Sequence, residues 1–262
     1  MTSNTTLYAW ARPLDIDPKL DHTWVTDYQP ASQYADIQAV MAANKNYWFC
    51  WGSFHDDDYR GIGDDGADFT LASCLVTPND ANAHGTIFRY AIDGVCHQLA
   101  NQVLYSTDSK ITVSKAHGYR LSSFLYGTYG RQDAAWNQKI ATCTSTKQVG
   151  IMDDLKSAMV SILGQRATPE KIDALNTLRH EFQQSIQNMG RELFTENSNA
   201  GADAINAKIT EFTLKAREIL GDEDFKAMFD MDIADSYKLV DPEMFAQSEA
   251  SFAQKAKDQS ED

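Results

Sequence analysis

Cys96 lies where a strand-like run gives way to a helical pattern. The run Gly85–Asp93 has the composition of a strand, and Gly94 permits a tight turn after it. Apolar residues then recur at helical spacing: Val95, Leu99, Val103 and Leu104. A thiol in the first turn of a helix meets the positive end of the helix dipole, which favours the thiolate. The sequence therefore predicts a nucleophilic Cys96 that faces away from the buried stripe. A buried, inert cysteine is the alternative.

A thiol nucleophile needs a general base, and His22 is the first choice among the six histidines. It lies near the start of a predicted strand, Asp21–Tyr28, on which alternation puts His22 and Trp24 on one face. A histidine at a strand end can reach a helix N-terminus that packs across the sheet. A third polar residue is expected to fix the tautomer of the base. His55 is the first choice for that residue and Asp27 the second.

Other residues near this arrangement are candidates for contacts with a substrate. The main-chain N–H of Cys96 and the side chain of Gln98 are expected to face the oxyanion of an acyl-transfer step. Trp24, Trp48 and Trp51 are candidate walls of a cleft. Aromatic residues at strand spacing also occur in cores, which is the alternative for these three.

Two metal sites are weighed and neither is favoured. A zinc site made from Cys96, His97 and His22 would need adjacent ligands on one tetrahedral ion, and the sequence has no CxxC or HxxxH pair. The loop from His55 to Asp68 contains six aspartates, but their spacing does not match a twelve-residue calcium loop. A solvated acidic loop is favoured. We predict neither a metal nor another cofactor.

The 262 residues, 43% of them hydrophobic, divide into two regions of different pattern. Residues 1–150 are predicted to be rich in strands, with a short helix over Ala31–Ala43 and the Cys96 helix. The predicted strands are Leu7–Leu14, Asp21–Tyr28, Tyr47–Phe54, Phe69–Thr77 and Thr86–Ile92, and His117–Gly130 is predicted to be a hairpin or a paired strand. The fold class is therefore predicted to be α+β.

Residues 151–262 carry helical periodicity. Thr168, Pro169 and Glu170 predict the start of a long helix, and a second long helix follows a turn at Asn197–Gly201. Together they predict an αα-hairpin from Thr168 to Leu220, whose apolar stripe contains Phe182. The hairpin must dock, either on the β-rich body as a lid or on a second copy as a homodimer interface. A short helix over Glu223–Phe229 and a helical tail, Glu243–Asp262, are also predicted.

The net charge of −14 and the pI of about 4.7 argue against nucleic acid and against an anionic membrane surface as partners. A cationic ligand or a basic partner would be attracted. No apolar run approaches the ~20 residues that span a bilayer. The four cysteines show no CxxC spacing and no dense framework, so the sequence predicts reduced thiols and a cytoplasmic location, with signal-less secretion as the alternative.

The order of these elements resembles the circularly permuted branch of the papain-like NlpC/P60 superfamily of cysteine hydrolases and acyltransferases. The matching stretches are His22–Val25, Tyr47–His55 and Gly94–Asn101, within roughly residues 7 to 130. The resemblance implies a papain-like domain at 1–150, with Cys96 as nucleophile, His22 as base and His55 as the third polar residue. It also implies cleavage or transfer of acyl groups at amides, isopeptides or esters.

Two functions follow as expectations. The first is cysteine-dependent hydrolysis or acyl transfer on a small-molecule or peptide substrate, with the helical region at 151–262 as a lid or an oligomerisation element. The second, from another class, is a non-enzymatic adaptor that binds a partner through the helical hairpin and leaves Cys96 unreactive.

Overall fold

The computed structural model describes residues 4–29, 43, 45–48, 59–79, 85–87, 89–109, 111–131, 133–144, 155–192 and 198–258. Over these ranges the protein is a mixed α+β fold with a four-stranded antiparallel sheet in the order β3-β2-β1-β4. The strands are β1 (Asn4–Leu14), β2 (Asp17–Thr26), β3 (Tyr47–Trp48) and β4 (Arg60–Asp68). The α+β class is confirmed.

Nine α-helices lie within the described residues. They are α1 (Phe69–Leu75), α2 (Cys96–Leu104), α3 (Tyr119–Tyr126), α4 (Asp133–Thr144), α5 (Leu155–Leu163), α6 (Pro169–Glu192), α7 (Ser198–Leu220), α8 (Asp222–Phe229) and α9 (Pro242–Asp258), with a 3-10 turn at Gly164–Arg166. None of these helices has both the length and the apolar character needed to cross a membrane.

Three predictions for the first half of the chain are wrong. The predicted strand Phe69–Thr77 is largely the helix α1, because the Asp68 carboxylate accepts the first main-chain N–H groups and caps it. The predicted hairpin over His117–Gly130 contains the helix α3. The acidic segment that was predicted to be a loop forms the strand β4 over Arg60–Asp68, although Asp64 is exposed and Asp65 is half-exposed, as a solvated segment requires. The composition of the first two segments favours strands. Capping by Asp68 and packing against the rest of the chain make them helical instead.

The remaining assignments have mixed outcomes. The first two strands, the Cys96 helix and the long helices are confirmed. The described part of Thr86–Ile92 forms no strand and only a single bridge, Tyr90 to Gly94. The predicted helix Ala31–Ala43 and most of Tyr47–Phe54 lie outside the described residues.

The two faces of the sheet are covered differently. In the register of β1 and β2, Ala9 pairs with Val25 and Trp10 pairs with Trp24. Ala9 and Val25 belong to the main core, which contains Leu99 of α2 and also residues of the helical region. Trp24 belongs to a smaller aromatic cluster with Tyr47, against which Trp10, Tyr28 and Tyr59 pack. Side-chain alternation along β2 therefore separates the two sets.

The helical hairpin of α6 and α7 docks on the body of its own chain. Phe182 of α6 is 5% exposed and its ring contacts Phe212 of α7 and Tyr126 of α3. Gln183 donates a hydrogen bond to the Leu125 carbonyl at 3.0 Å. The apolar stripe predicted from the sequence is thus buried within the chain.

A disulfide joins Cys74 of α1 to Cys143 of α4. This corrects the expectation of four reduced thiols. The spacing gave no sign of the pair because the two cysteines are 69 residues apart and are brought together by the packing of α1 against α4. Cys96 is buried and takes no part in this disulfide.

We expect Cys143→Ser to lower the free energy of unfolding by about 2–5 kcal/mol, because the cross-link restricts the unfolded chain. Chemical denaturation measures the change. Wild-type protein treated with a reductant should lose the same stability, whereas the variant should not respond to the reductant. Equal stability of oxidised wild type and variant would contradict the disulfide.

Phe182→Ala is expected to cost about 3–5 kcal/mol, because it leaves a cavity between α6, α7 and α3. Denaturation gives the free energy, and Leu214→Ala on the same hairpin is the control. Leu214 is 42% exposed, so its truncation should change stability by less than ~0.5 kcal/mol. Similar costs for the two variants would mean that the hairpin does not dock as described.

Candidate functional site

Cys96 is the first residue of α2 and is only 2% exposed. Its sulfur lies 3.9 Å from the carbonyl oxygen of Asp21 on β2. This burial matches the alternative expectation for Cys96, a buried cysteine. Every residue of α2 is buried, because other segments cover the polar side of the helix as well as the apolar side.

His22, the predicted base, follows Asp21 directly and is 1% exposed. Its ring stacks on Trp24, with the ring centroids 5.8 Å apart. Neither ring nitrogen has a hydrogen-bond partner among the described residues, so no hydrogen bond joins His22 to Cys96. The structure brings Cys96 to the peptide unit that precedes His22, while the imidazole lies against Trp24.

Asp21 fixes where α2 meets β2. Its carbonyl accepts a hydrogen bond from His97 Nε2 at 3.0 Å as well as contacting the Cys96 sulfur. Its main-chain N–H donates to the carbonyl of His117 at 3.0 Å. Its carboxylate, which is fully buried, pairs with Arg60 and accepts the main-chain N–H of His117 at 2.6 Å. No role was predicted for Asp21. The one signal in the sequence is that this acidic residue directly precedes His22.

The side chain of His97 anchors α2 to its neighbours through both ring nitrogens. Its Nε2 must donate to the Asp21 carbonyl, because a carbonyl oxygen only accepts. Its Nδ1 lies 2.7 Å from the hydroxyl of Ser122 on α3. With both ring nitrogens engaged and no exposure, His97 connects α2 to β2 and α3.

Gln98 does not face an oxyanion. Its Oε1 accepts the main-chain N–H of Val95 at 3.0 Å, and its Nε2 donates to the carbonyl of Gly127 at 3.1 Å. Both ends of the amide therefore serve the structure, and the expected role in substrate binding is not supported by this geometry.

Gln98 belongs to a row of three amides on α2 that hold the loop after α3. Asn101 donates to the carbonyl of Thr128 at 2.9 Å, and Gln102 donates to that of Tyr129 at 2.7 Å. Residues 98, 101 and 102 share one face of a helix. We call these three residues the amide row. The helical spacing of these three amides in the sequence indicates a common polar face, although no role was predicted for Asn101 and Gln102.

The turn that leads into α2 is held from α3. The Tyr126 hydroxyl donates to the carbonyl of Ala91 at 2.8 Å, and complete burial raises the pKa of Tyr126 far above its usual value. Ala91 has a positive φ of 66°, a conformation that costs energy for a residue with a Cβ. The neutral, donating tyrosine stabilises this turn and thereby the start of α2.

The remaining predicted residues divide by whether the structure describes them. Trp24 is fully buried in the aromatic cluster and lines no open cleft. Asp27 accepts hydrogen bonds from the main chain and side chain of Asn46, so it holds the strand end. His55 and Trp51 lie outside the described residues. Within the described ranges, no three His, Cys, Asp or Glu side chains are grouped so that they could hold a metal ion.

Comparisons of the chain with protein-family models, with curated proteins and with solved structures found no match.

Removal of Arg60 and removal of Asp21 from their ion pair should lower the free energy of unfolding by different amounts. Arg60→Gln leaves a buried carboxylate without its cation, which we expect to cost about 3–5 kcal/mol. Asp21→Asn keeps a hydrogen-bond acceptor and leaves Arg60 with 37% of its side chain in water, so about 1–3 kcal/mol is expected.

Denaturation of the two variants measures which of them loses more stability, with Lys226→Gln as the control. Lys226 is 51% exposed and its partner Asp232 is 92% exposed, so its replacement should cost no more than ~1 kcal/mol. A greater loss for Asp21→Asn than for Arg60→Gln would contradict the described ion pair.

Proposed function

We propose that the protein is a cysteine-dependent hydrolase or acyltransferase that acts on an amide, isopeptide or ester bond. The observation that carries the proposal is the contact of Cys96, at the start of α2, with the peptide unit before His22. The unpartnered ring nitrogens of His22 support it. Buried polar groups without a partner are rare and require an explanation, and a base that exchanges a proton with a thiol is such an explanation.

The proposed reaction has two steps. The Cys96 thiol transfers its proton to the His22 imidazole, and the sulfur attacks the carbonyl carbon of the substrate. The main-chain N–H groups at the start of α2 lie where a helix stabilises negative charge, which suits the oxyanion. The leaving amine or alcohol departs with the proton from His22, and the acyl group remains on Cys96 as a thioester. Water or an amine then accepts the acyl group and regenerates the thiol.

The proposal requires movement at two places. The His22 ring must turn from its stack on Trp24 towards the sulfur, and the groups that cover Cys96 must separate to admit a substrate. Alternation along β2 puts His22 on the face of Trp24, so the end of β2 near Asp21 must shift together with the ring, and shifts of short segments occur in enzymes. A peptide or small-molecule substrate with positive charge fits the net charge of −14.

Alkylation with iodoacetamide tests the pair. In the folded protein Cys96 should react well below the ordinary cysteine pKa of about 8.5, because a neighbouring imidazolium stabilises the thiolate. His22→Gln should slow the reaction at these pH values roughly tenfold or more. His180→Gln, a change at an exposed histidine of α6, is the control, and peptide mass spectrometry identifies the alkylated cysteine.

An adaptor is the second candidate, and the burial of Cys96 is the observation that favours it. In that case Cys96 is a core residue, and alkylation occurs only when the protein is unfolded, with equal rates in wild type and His22→Gln. The same experiment therefore separates the two functions. Since the apolar stripe of the hairpin is buried within the chain, an adaptor would bind through the polar outer faces of α6 and α7.

The disulfide between Cys74 and Cys143 bears on the compartment. Such bonds persist where the surroundings are oxidising and are rare in a reducing cytosol. We therefore propose that the protein works in an oxidising compartment, in place of the cytoplasmic location expected from the sequence.

A further inference from the structure

A polar cavity of about 430 Å³ lies between the α3–α4 connection and α6. Arg131 borders it on the side of the connection, and Asn176, Arg179 and His180 border it on the side of α6. The volume lies within the range of pockets that hold small molecules. Neither Cys96 nor His22 borders the cavity.

The cavity concentrates positive charge in a chain whose net charge is −14. Arg131 and Arg179 are both half-buried and both border this cavity. Asp133 is the one carboxylate among the described residues that border the cavity. It is exposed, so water screens its charge more strongly than the charges of the two arginines.

Arg131 is held in place by its surroundings. Its main-chain N–H donates to the carbonyl of Asp93 at 2.8 Å, and its Nη1 donates to the carbonyl of Gln183 at 3.2 Å. Burial lowers the pKa of the Arg131 guanidinium, and the charge of Arg179 lowers it further, against the raising effect of Tyr126 and Asp93. The like charges of Arg131 and Arg179 therefore interact where water is partly excluded.

Arg179 is placed by α6 and by an aromatic ring. Its guanidinium lies over the ring of Phe124, 5.6 Å from the centroid, a contact that orients the planar group. The next residue, His180, is fixed by a hydrogen bond from Nδ1 to the carbonyl of Asn176 at 2.7 Å. These contacts restrict the side chains of Arg179 and His180, which both border the cavity.

We propose that this cavity binds the oxyanion group, phosphate or carboxylate, of a small molecule. A guanidinium pairs with either group through two parallel N–H donors. An anion between Arg131 and Arg179 offsets their mutual repulsion, and Asn176 adds a neutral donor. This binding does not depend on the proposed chemistry of Cys96.

Titration of the wild-type protein with inorganic phosphate and, separately, with acetate tests the site at constant ionic strength. Two-dimensional NMR follows the Nε–Hε signals of the arginines. The signals of Arg131 and Arg179 should shift and saturate, while that of Arg217 on α7 should not. Tighter binding of phosphate identifies a phosphate-bearing ligand, and tighter binding of acetate identifies a carboxylate.

Arg179→Gln should weaken the tighter of the two anions roughly tenfold or more, because one charge-assisted pair is lost. Arg217→Gln removes the same charge outside the cavity and should leave the affinity unchanged. Linear shifts without saturation, of similar size at Arg179 and Arg217, would mean general screening and would overturn the proposal. The wild-type titration decides the matter even if Arg179→Gln does not fold.

Discussion

Asp21 joins three parts of the protein at one residue. Its carboxylate pairs with Arg60 of β4, its carbonyl meets Cys96 and His97 of α2, and its N–H binds the carbonyl of His117 before α3. A buried charge is tolerated only when it is paired and hydrogen-bonded, so these contacts depend on one another. The start of α2, and with it the thiol, is positioned by this set of contacts.

The helix α2 combines two kinds of surface. Its apolar residues join the main core, and the amide row binds three successive carbonyl groups of the loop Gly127–Tyr129. Each amide donates to one of these carbonyl oxygens, and the loss of a hydrogen bond to a buried main-chain acceptor costs about 1–3 kcal/mol. The helix is therefore fixed in rotation as well as in position, and this places the Cys96 sulfur against the Asp21 carbonyl.

Local patterns made part of this structure predictable. The alternation in β1 and β2 and the 3–4 spacing of α6 and α7 are properties of neighbouring residues, and these elements were predicted correctly. The segments of α1 and α3 contain aromatic and β-branched residues that favour strands, but capping by Asp68 and packing on the core made them helices. The burial of Cys96 and the partners of Asp21 depend on residues far apart in the chain, which a single sequence does not connect.

The central proposal is that Cys96 passes its proton to His22 once the His22 ring has moved towards the sulfur. An NMR pH titration that follows Cys96 ¹³Cβ and the His22 ring tests this most directly. We expect both signals to change in one common transition, with thiolate present well below the ordinary cysteine pKa of about 8.5, and we expect His22→Gln to move the Cys96 transition upward. A Cys96 that stays a thiol up to that value, with a His22 that titrates on its own, would contradict the account.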